Sequence, residues 1–529
     1  MDRATARPRA ERWVLAASIL GSTMAFIDGT VVNVALPVLQ QALGATAAEV
    51  QWVVESYALV MAALLLLSGT LGDRIGRRAI FATGTGMFAA ASLGCALAPD
   101  VRWLIVARAL QGLGGALLVP GSLALIAASI PADRRGRAIG TWSGISAAAA
   151  GIGPLFGGWL IQQASWRAIF WVNLPLAAVT LFITLRFVPE SRDPRAGSLD
   201  FVGAALVTLG LAGLVFGLLE APRFGVGHPV IVLSLLAGVA LLAAFIGFEA
   251  RSSAPMLPLG LFRSRTFAGA NLLTLLLYAA MSGAMYFLPF ALIQVHHYRP
   301  AAAGAALMPL IVLITLLSRW AGRLADRYGG RGPLIVGPVL VGVGFGLLGW
   351  LATHGSYWTT FFPGIAMLGL GMGITVAPLT TTVMGAVTPE RSGLASGINN
   401  TVSRTASLLA IAVFGIVVYW RFNHTLNGRL DALGISGEAR RLLGEERSKL
   451  AAAHVPESLP ESLRSSVRAG IEASFVQGFR LVMVLCVVLA LGAAVIAWRW
   501  VGRYSEPFTP ADTARSRPPA QSSAADPPR

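Results

Sequence analysis

The sequence has 529 residues and a formal net charge of +16; 55% of the residues are hydrophobic and only 12% are charged. A typical soluble domain has about 25% charged residues, so this composition excludes an ordinary soluble protein. The apolar residues form repeated blocks of about 20, the length needed to cross a hydrocarbon layer of about 30 Å. The positive charge comes from arginines scattered in short loops, and this dispersed pattern argues against a nucleic-acid-binding patch.

The apolar blocks predict an all-α membrane protein with fourteen membrane-spanning helices. In chain order, these helices are expected at about 13–37, 51–71, 79–98, 102–125, 138–161, 168–187, 199–219, 229–248, 268–292, 301–321, 333–352, 357–378, 399–420 and 479–501. Alternate loops are rich in arginine, whereas the short loops between them hold few basic residues. Because cytoplasmic loops contain the excess of arginine and lysine, we predict that the arginine-rich loops and both termini lie in the cytoplasm.

An internal repeat indicates how the helices are arranged. The segment Gly69–Arg78 (GTLGDRIGRR) recurs in the second half of the chain as Gly322–Arg331 (GRLADRYGGR). We therefore predict two six-helix bundles of equal topology with two inserted helices between them, an arrangement typical of transporters whose substrate path lies between the bundles. The predicted segments are a cytoplasmic tail (1–12), the first bundle (13–190), the inserted pair (191–262), the second bundle (263–502) with an outer loop of short surface helices (421–478), and a disordered cytoplasmic tail (503–529).

Three charged residues lie inside predicted spans of the first bundle and away from the span ends: Asp28, Glu55 and Arg108. Burying an ionisable side chain in a bilayer costs free energy, so such a residue is by default a candidate for a functional role. At a rise of about 1.5 Å per residue, they lie about 6 to 12 Å from the outer ends of their helices, so we expect them to form a proton-coupling site. A change in the Asp28–Arg108 distance would then capture or release a proton. The alternatives are that Arg108 only neutralises Asp28 to hold two helices together, and that Glu55 is hydrated near the surface.

The repeated loop predicts a gate. Its glycines allow a tight turn between helices two and three, and Asp73 lies near the N-terminus of the following helix, where negative charge is favoured. The arginines beside it offer partners for acidic groups, so we expect a charge latch between the bundles. The alternative, a short loop that follows the positive-inside rule, explains the arginines but neither Asp73 nor the glycine spacing. The residues of the predicted gate are Gly69, Asp73, Arg74, Gly76 and Arg77, with Asp326 and Arg327 in the second copy.

The fifth predicted helix contains a dense cluster of small residues in Gly151–Gly158, among them Gly153, Pro154 and Gly157. Small residues let helices approach closely, and proline frees a backbone carbonyl and permits a bend. General membrane packing explains isolated glycines, but this cluster is denser than packing usually requires.

Together these motifs resemble the major facilitator superfamily, and specifically its fourteen-helix drug:proton antiporter family. The Gly69–Arg78 loop is similar to the superfamily signature between helices two and three, and Arg108–Gly112 (RALQG) is similar to the fourth-helix motif. Gly153–Gly158 resembles the fifth-helix motif of antiporters, and Asp28–Pro37 resembles a first-helix motif of the fourteen-helix members. Residues 166–175 also fit the start of helix six in that family. The match spans nearly the whole chain.

The resemblance implies a proton-coupled antiporter that exports small hydrophobic or amphipathic compounds across the cytoplasmic membrane, as in multidrug efflux. It implies no enzyme activity, no cofactor, a small-molecule substrate and protons as partners, and function as a monomer in the lipid bilayer. It also implies that Arg108 takes part in proton transfer. One departure is Ala149, where the fifth-helix motif usually has glycine. The residues expected to line the substrate pathway are Asn33, Gln111, Asn399 and Asn400.

The residues leave other functions open. An exporter of an endogenous lipid or metabolite would use the same mechanism, and a proton-coupled importer is disfavoured by the glycine–proline cluster of helix five. An ATP-driven pump is excluded, because the only lysine, Lys449, does not stand in a phosphate-binding Gly-Lys-Ser/Thr motif. The histidines fall in outer loops and indicate no metal site. Arg404, in the thirteenth predicted helix, is expected to extend its long side chain toward the membrane interface.

Overall fold

The computed structural model describes residues 3–192, 200–252, 255–350, 355–388 and 391–502. Within these ranges, fourteen helices are long and apolar enough to cross a membrane, so the prediction of an all-α protein with fourteen spans is confirmed. The helices are α1 (Arg3–Leu43), α2 (Ala47–Ile75), α3 (Arg77–Ala96), α4 (Val101–Ser129), α5 (Ala132–Gln163), α6 (Ala168–Trp171), α7 (Asn173–Phe187), α8 (Phe201–Phe224), α9 (Pro229–Glu249), α10 (Arg265–Phe290), α11 (Pro300–Ala306), α12 (Met308–Tyr328), α13 (Arg331–Gly349), α14 (Tyr357–Thr360), α15 (Phe362–Gly385), α16 (Ser392–Ala432), α17 (Gly437–Glu446) and α18 (Glu461–Trp500).

Some helix limits differ from those expected from the sequence. Helix α1 begins at Arg3, inside the segment predicted as a tail, and the predicted disordered tail 503–529 lies outside the described residues. The sixth predicted helix consists of α6 and α7, and the tenth consists of α11 and α12. Helix α10 continues into a short π-helical turn at Ala291–Val295.

Local sequence explains where several helices begin and end. Thr46 and Glu49 form a capping box at the start of α2, in which each side chain accepts a hydrogen bond from the other residue's backbone amide. Asp100 caps α4, because its carboxylate accepts a hydrogen bond from a backbone amide three residues later at 2.8 Å. Gly76 and Gly329 follow α2 and α12 with φ of +140° and +86°, conformations that favour glycine. These two glycines occupy matching positions of the repeated loop.

The spans form two bundles joined by an inserted pair. Helices α1–α7 pack mainly against one another, as do α10, α12–α16 and α18, whereas the short helix α11 packs mainly on α5 of the first bundle. The inserted helix α8 packs on α9 and also contacts α2 of the first bundle and α16 of the second. The Trp52 indole Nε1 of α2 donates a hydrogen bond to Glu220 Oε1 of α8 at 3.1 Å. Helix α8 therefore closes one side of the seam between the bundles.

The two bundles approach each other closely near one face of the protein. We call the face with the helix ends at 74–78, 134–137 and 327–331 the arginine-rich side, and the close approaches lie near the opposite face. A Cβ added to Gly158 of α5 would lie 2.3 Å from the Pro300 carbonyl oxygen, and one added to Gly304 of α11 would lie 2.1 Å from the Pro154 carbonyl oxygen. The halves of α5, α15 and α16 nearer the arginine-rich side instead carry exposed polar side chains, which are Thr141, Ser143, Thr380, Thr381 and Asn400.

Helices α16 and α18 continue well beyond the predicted ends of the thirteenth and fourteenth spans. They reach Ala432 and start at Glu461, respectively. The predicted limits at 420 and 479 are wrong because these helices persist outside the apolar windows, where buried residues such as Leu426, Leu430 and Ile471 pack in one hydrophobic cluster. We call residues 421–478 the cap; it also contains α17 and a 3₁₀ helix at Arg447–Ala452, and it lies on the face opposite the arginine-rich side.

Candidate functional site

A buried ion pair with three polar neighbours lies inside the first bundle. Arg108 Nη1 of α4 donates to Asp28 Oδ2 of α1 at 2.5 Å. The other carboxylate oxygen, Oδ1, accepts hydrogen bonds from Gln111 Nε2 at 2.9 Å and from Asn173 Nδ2 at 3.1 Å. Gln111 and Asn173 also donate to the Ser92 hydroxyl at 2.8 and 3.1 Å. Helices α1, α4 and α7 thus meet at one carboxylate, and α3 joins the network through Ser92.

The guanidinium of Arg108 is held on several sides. Its Nη1 also donates to Gln111 Oε1 at 2.6 Å, and its Nε donates to the Val53 carbonyl oxygen at 3.2 Å. Its central carbon lies 4.2 Å from the centre of the Tyr57 ring, a distance that suits a cation–π contact. Asp28 and Arg108 are each only 1% exposed. Removing one partner of such a buried pair costs about 3–5 kcal/mol, because the other charge is then left uncompensated.

Small residues on α4 allow the neighbouring helices to come this close. A Cβ added to Gly112 would lie 2.5 Å from the Tyr57 carbonyl oxygen of α2, and one added to Gly114 would lie 2.5 Å from the Phe88 amide nitrogen of α3. Because α2 and α3 pack closely on α4, the Val53 carbonyl oxygen is within hydrogen-bond distance of Arg108, and the Ser92 hydroxyl is within hydrogen-bond distance of the Gln111 amide. The sequence Arg108–Gly112 therefore supplies both the charge and the space around it.

Glu55 is not part of this network. It is fully buried, and within the described part of the chain neither carboxylate oxygen has a hydrogen-bond partner. Gln51, one helical turn away on the same face of α2, donates to the Ile411 carbonyl oxygen of α16 at 3.3 Å. Glu55 therefore lies on the face of α2 that is turned toward the second bundle. The structure brings together Asp28 and Arg108 and separates Glu55 from them.

The residues expected along the substrate pathway have different surroundings. Gln111 is fully buried in the ion-pair network, so in this structure it holds Asp28 and lines no open path. Asn33 is half-buried, and Asn400 is exposed. Asn399 Nδ2 donates to Asn271 Oδ1 at 3.1 Å and to Thr274 Oγ1 at 2.7 Å, which ties α16 to α10.

The first repeated loop makes its charged contacts inside the first bundle. Asp73 pairs with Arg77 four residues later, with 2.7 Å between Oδ1 and Nε. The Glu190 carboxylate accepts hydrogen bonds from the backbone amides of residues 78 and 79, each at 3.1 Å. Glu190 thus binds the N-terminus of α3, and a Cβ added to Gly76 would lie 2.8 Å from its carboxylate. Arg74 is exposed. The described contacts of Asp73 and Arg77 therefore differ from the predicted latch between the bundles.

The second copy of the loop has the same backbone turn at Gly329. Arg327 lies over the ring of the adjacent Tyr328, with 5.3 Å between the guanidinium carbon and the ring centre. The surroundings of Gly69 and the side chain of Asp326 lie outside the described part of the structure.

The glycines of α5 face two different partners. Cβ atoms added to Gly153 and Gly157 would lie 2.1 Å from Thr30 Oγ1 and 2.3 Å from Val31 Cγ2 of α1. Gly158 instead meets the backbone of α11 in the second bundle. Helix α5 also contains Pro154 within the helix. The cluster therefore connects the helix that holds Asp28 with the seam between the bundles.

Sequence reasoning missed several residues of the site. Asn173 lies in the segment that resembles the start of helix six, so that resemblance was the available signal. Nothing in the sequence distinguishes Ser92 and Tyr57 from the other residues of their helices. Arg404 does not extend to the membrane interface as expected: it is half-buried, and its Nη1 lies 3.5 Å from Met61 Sδ of the first bundle. The reason is that this face of α16 packs on α2 instead of facing lipid.

Known proteins resemble this chain over most of its length. The family model described as Major Facilitator Superfamily matches residues 18–411. The chain is 33% identical over 500 residues to Multidrug resistance protein Stp of Mycobacterium tuberculosis, covering 94% of this chain and 93% of that protein. It is 30% identical over 494 residues to the Tetracenomycin C resistance and export protein of Streptomyces glaucescens, covering 92% of this chain and 91% of that protein.

A solved structure shares the fold. A bacterial homologue of the human lysosomal transporter Spinster, crystallised in an inward-facing and unoccupied conformation, matches with a TM-score of 0.61 at 18% identity, covering 93% of this chain and 98% of that one. The two-bundle arrangement and the family match identify a multi-pass membrane transporter, which is not an enzyme. This chain belongs to the Major Facilitator Superfamily.

Proposed function

We propose that this protein is a proton-coupled antiporter that exports small hydrophobic or amphipathic compounds, working as a single chain in the cytoplasmic membrane. The observation that supports coupling best is the buried Asp28–Arg108 pair, which is joined to Gln111 and Asn173 by hydrogen bonds. The names of the relatives, a multidrug resistance protein and a resistance and export protein, support export of small molecules.

The hydrogen bonds to Asp28 suggest when the proton is exchanged. All the groups that contact its oxygens, from Arg108, Gln111 and Asn173, are donors. An ionised carboxylate is an acceptor only, so these contacts suit the ionised form. If a conformational change separates the carboxylate from Arg108, a buried charge is left without a partner, which is costly. Asp28 then binds a proton, and the return of Arg108 releases it.

The same geometry suggests the direction of exchange. We infer that the arginine-rich side is the cytoplasmic side, in line with the excess of arginine in its loops. The bundles are then closed toward the outside, and Asp28 is ionised while the transporter accepts substrate from the cytoplasm. Opening to the outside releases the substrate and admits a proton to Asp28. Protons would then enter the cell as substrate moves outward.

The exchange itself is testable with purified protein in liposomes. We expect an imposed pH gradient to drive uptake of ethidium against its own gradient into the more acidic compartment, because protons leaving that compartment drive the dye in. The ionophore nigericin with potassium on both sides collapses the pH gradient and is expected to abolish uptake. Equal accumulation of the dye with and without the pH gradient would contradict proton coupling.

The orientation can be tested with the only lysine of the chain. Lys449 lies in the cap, on the face opposite the arginine-rich side, and its side chain is 21% exposed. We expect a membrane-impermeant amine reagent to label the wild-type protein in intact cells, because the cap is then outside. The Lys449→Arg variant serves as the matched control and should remain unlabelled. Labelling of Lys449 only after the cells are permeabilised would reverse the proposed orientation.

A further inference from the structure

A cavity of about 330 Å³ lies on the face opposite the arginine-rich side. Small-molecule sites occupy about 300–1,000 Å³, so its volume suits a small ligand. We call it the α8 cavity, because Glu220, Pro222 and Arg223 at the end of the inserted helix form one wall. The first turns of α2 and α4, the end of α10, the middle of α16 and the 3₁₀ helix of the cap also line it, together with residues of α1 and α18. Asp28 and Arg108 do not line it, so it is separate from the ion-pair network.

One wall of the α8 cavity is aromatic. Its members come from α10, α16 and α18, and they are Tyr286, Phe287, Phe290, Tyr419 and Phe475. Aromatic ring faces attract organic cations through their quadrupole and also provide apolar contact area. This wall therefore suits a ligand that combines apolar groups with a positive charge.

The charges around the α8 cavity differ in burial. The Glu220 side chain is only 14% exposed, whereas the Arg223 side chain is 71% exposed. The distance between Arg223 Nη1 and Glu220 Oε2 is 3.8 Å. Glu49 is half-buried, and Arg102 is exposed. Exposed charges are screened by water and salt far more than buried ones. Glu220 and Glu49 are therefore screened less than the two arginines. Glu49 already accepts two hydrogen bonds from Thr46, so Glu220 is the carboxylate available to a ligand.

We propose that the α8 cavity binds an amphipathic organic cation, with its charged centre near Glu220 and its apolar groups against the aromatic wall. The hydrogen bond from Trp52 fixes the Glu220 carboxylate at this position. The inserted helix α8 thereby has a binding role in addition to its packing against both bundles. Binding at this site requires no proton exchange at Asp28.

The test uses two ions of nearly equal size and opposite charge, tetraphenylphosphonium and tetraphenylborate. Ser448 lines the cavity, and a Ser448→Cys variant reports its occupancy through the rate of alkylation by N-ethylmaleimide. Both native cysteines are buried. We expect tetraphenylphosphonium to slow alkylation of this cysteine in a saturable manner, while tetraphenylborate leaves the rate unchanged. A Ser465→Cys variant, at an exposed position of α18 outside the cavity, should show no protection by either ion.

The carboxylate is tested in the same Ser448→Cys background. Glu220→Gln retains an oxygen that accepts the Trp52 hydrogen bond but removes the charge, and we expect about fivefold weaker protection by the cation. Glu438→Gln, at an exposed position of α17, is the matched control and should behave like the parent. Absent protection, equal protection by the borate, or unchanged protection in Glu220→Gln would each overturn the proposal. The same protection is expected in an Asp28→Asn background, so failure of proton coupling and failure of this site give different results.

Discussion

Asp28→Asn is expected to reduce pH-gradient-driven export to the background of empty liposomes. Asparagine retains hydrogen-bonding atoms for Gln111 and Asn173, but it cannot exchange a proton. Arg108 is left buried without its counter-charge, and the loss of one partner from a buried pair costs about 3–5 kcal/mol. We therefore expect a lower unfolding temperature as well as lost exchange, measured by thermal unfolding in detergent and by dye uptake in liposomes.

A second variant separates the effect on folding from the effect on coupling. In Asp28→Asn combined with Arg108→Gln, neither charge remains, and the amides can still bond with one another and with Ser92. We expect the unfolding temperature to recover toward the wild-type value, because no unpaired charge is buried, while exchange stays absent. If this double variant still exports dye in response to a pH gradient, the proton binds elsewhere and the proposed role of Asp28 is wrong.

Glu55→Gln is the informative comparison within the same bundle. Glu55 is as deeply buried as Asp28, yet it has no hydrogen-bond partner in the described structure. Glutamine has the shape of a neutral carboxylic acid, so this change should leave folding and proton coupling close to wild type. A Glu55→Gln variant that loses coupling as completely as Asp28→Asn would show that two carboxyl groups exchange protons.

Depth along the helices, read from the sequence, is enough to predict that Asp28 and Arg108 lie at a similar level of the membrane. It does not give the direction in which a side chain points. Successive residues of a helix are rotated by about 100°, and Val53 and Tyr57 of α2 face Arg108 on α4. Glu55, between them in sequence, therefore points roughly the opposite way. Only the packing of α2 between two neighbours shows which face meets which helix.

The loops and helix ends show a similar limit. The glycine spacing of the repeated loop predicts a tight turn, and Gly76 and Gly329 both have positive φ. The partner of the loop was not predictable, because Glu190, which binds the start of α3, is distant in sequence and lies in no repeated motif. Hydropathy gives the apolar part of α16 and α18 but not their extensions, since those are stabilised by contacts within the cap rather than by lipid.

Gly158→Ala is expected to shift the transporter away from the conformation described here. An added Cβ would lie 2.3 Å from the Pro300 carbonyl oxygen of α11, and the backbone on both sides must move to relieve the clash. Overpacking of this kind costs about 1–3 kcal/mol. If the outward-open conformation does not contain this contact, the equilibrium moves toward it by about 5- to 150-fold, and export slows because closure toward the outside becomes difficult.

Gly144→Ala is the matched control on the same helix. A Cβ added there meets no other atom within 4 Å, so neither the conformational equilibrium nor the export rate should change. Both variants replace glycine by alanine within α5, so they change its helix propensity equally. Any difference between them therefore comes from the contact of residue 158 with α11.

The conformational shift can be measured with a cysteine placed in the closed seam. Gln294 is 2% exposed, and its Nε2 donates to Gln40 Oε1 of α1 at 2.9 Å across the two bundles. In a Gln294→Cys background, we expect Gly158→Ala to accelerate alkylation by a membrane-impermeant maleimide, because opening of the seam exposes the cysteine. Gly144→Ala should react at the parent rate. Equal rates in both variants would mean that the contact between α5 and α11 does not control closure, and that the glycine cluster serves only local packing.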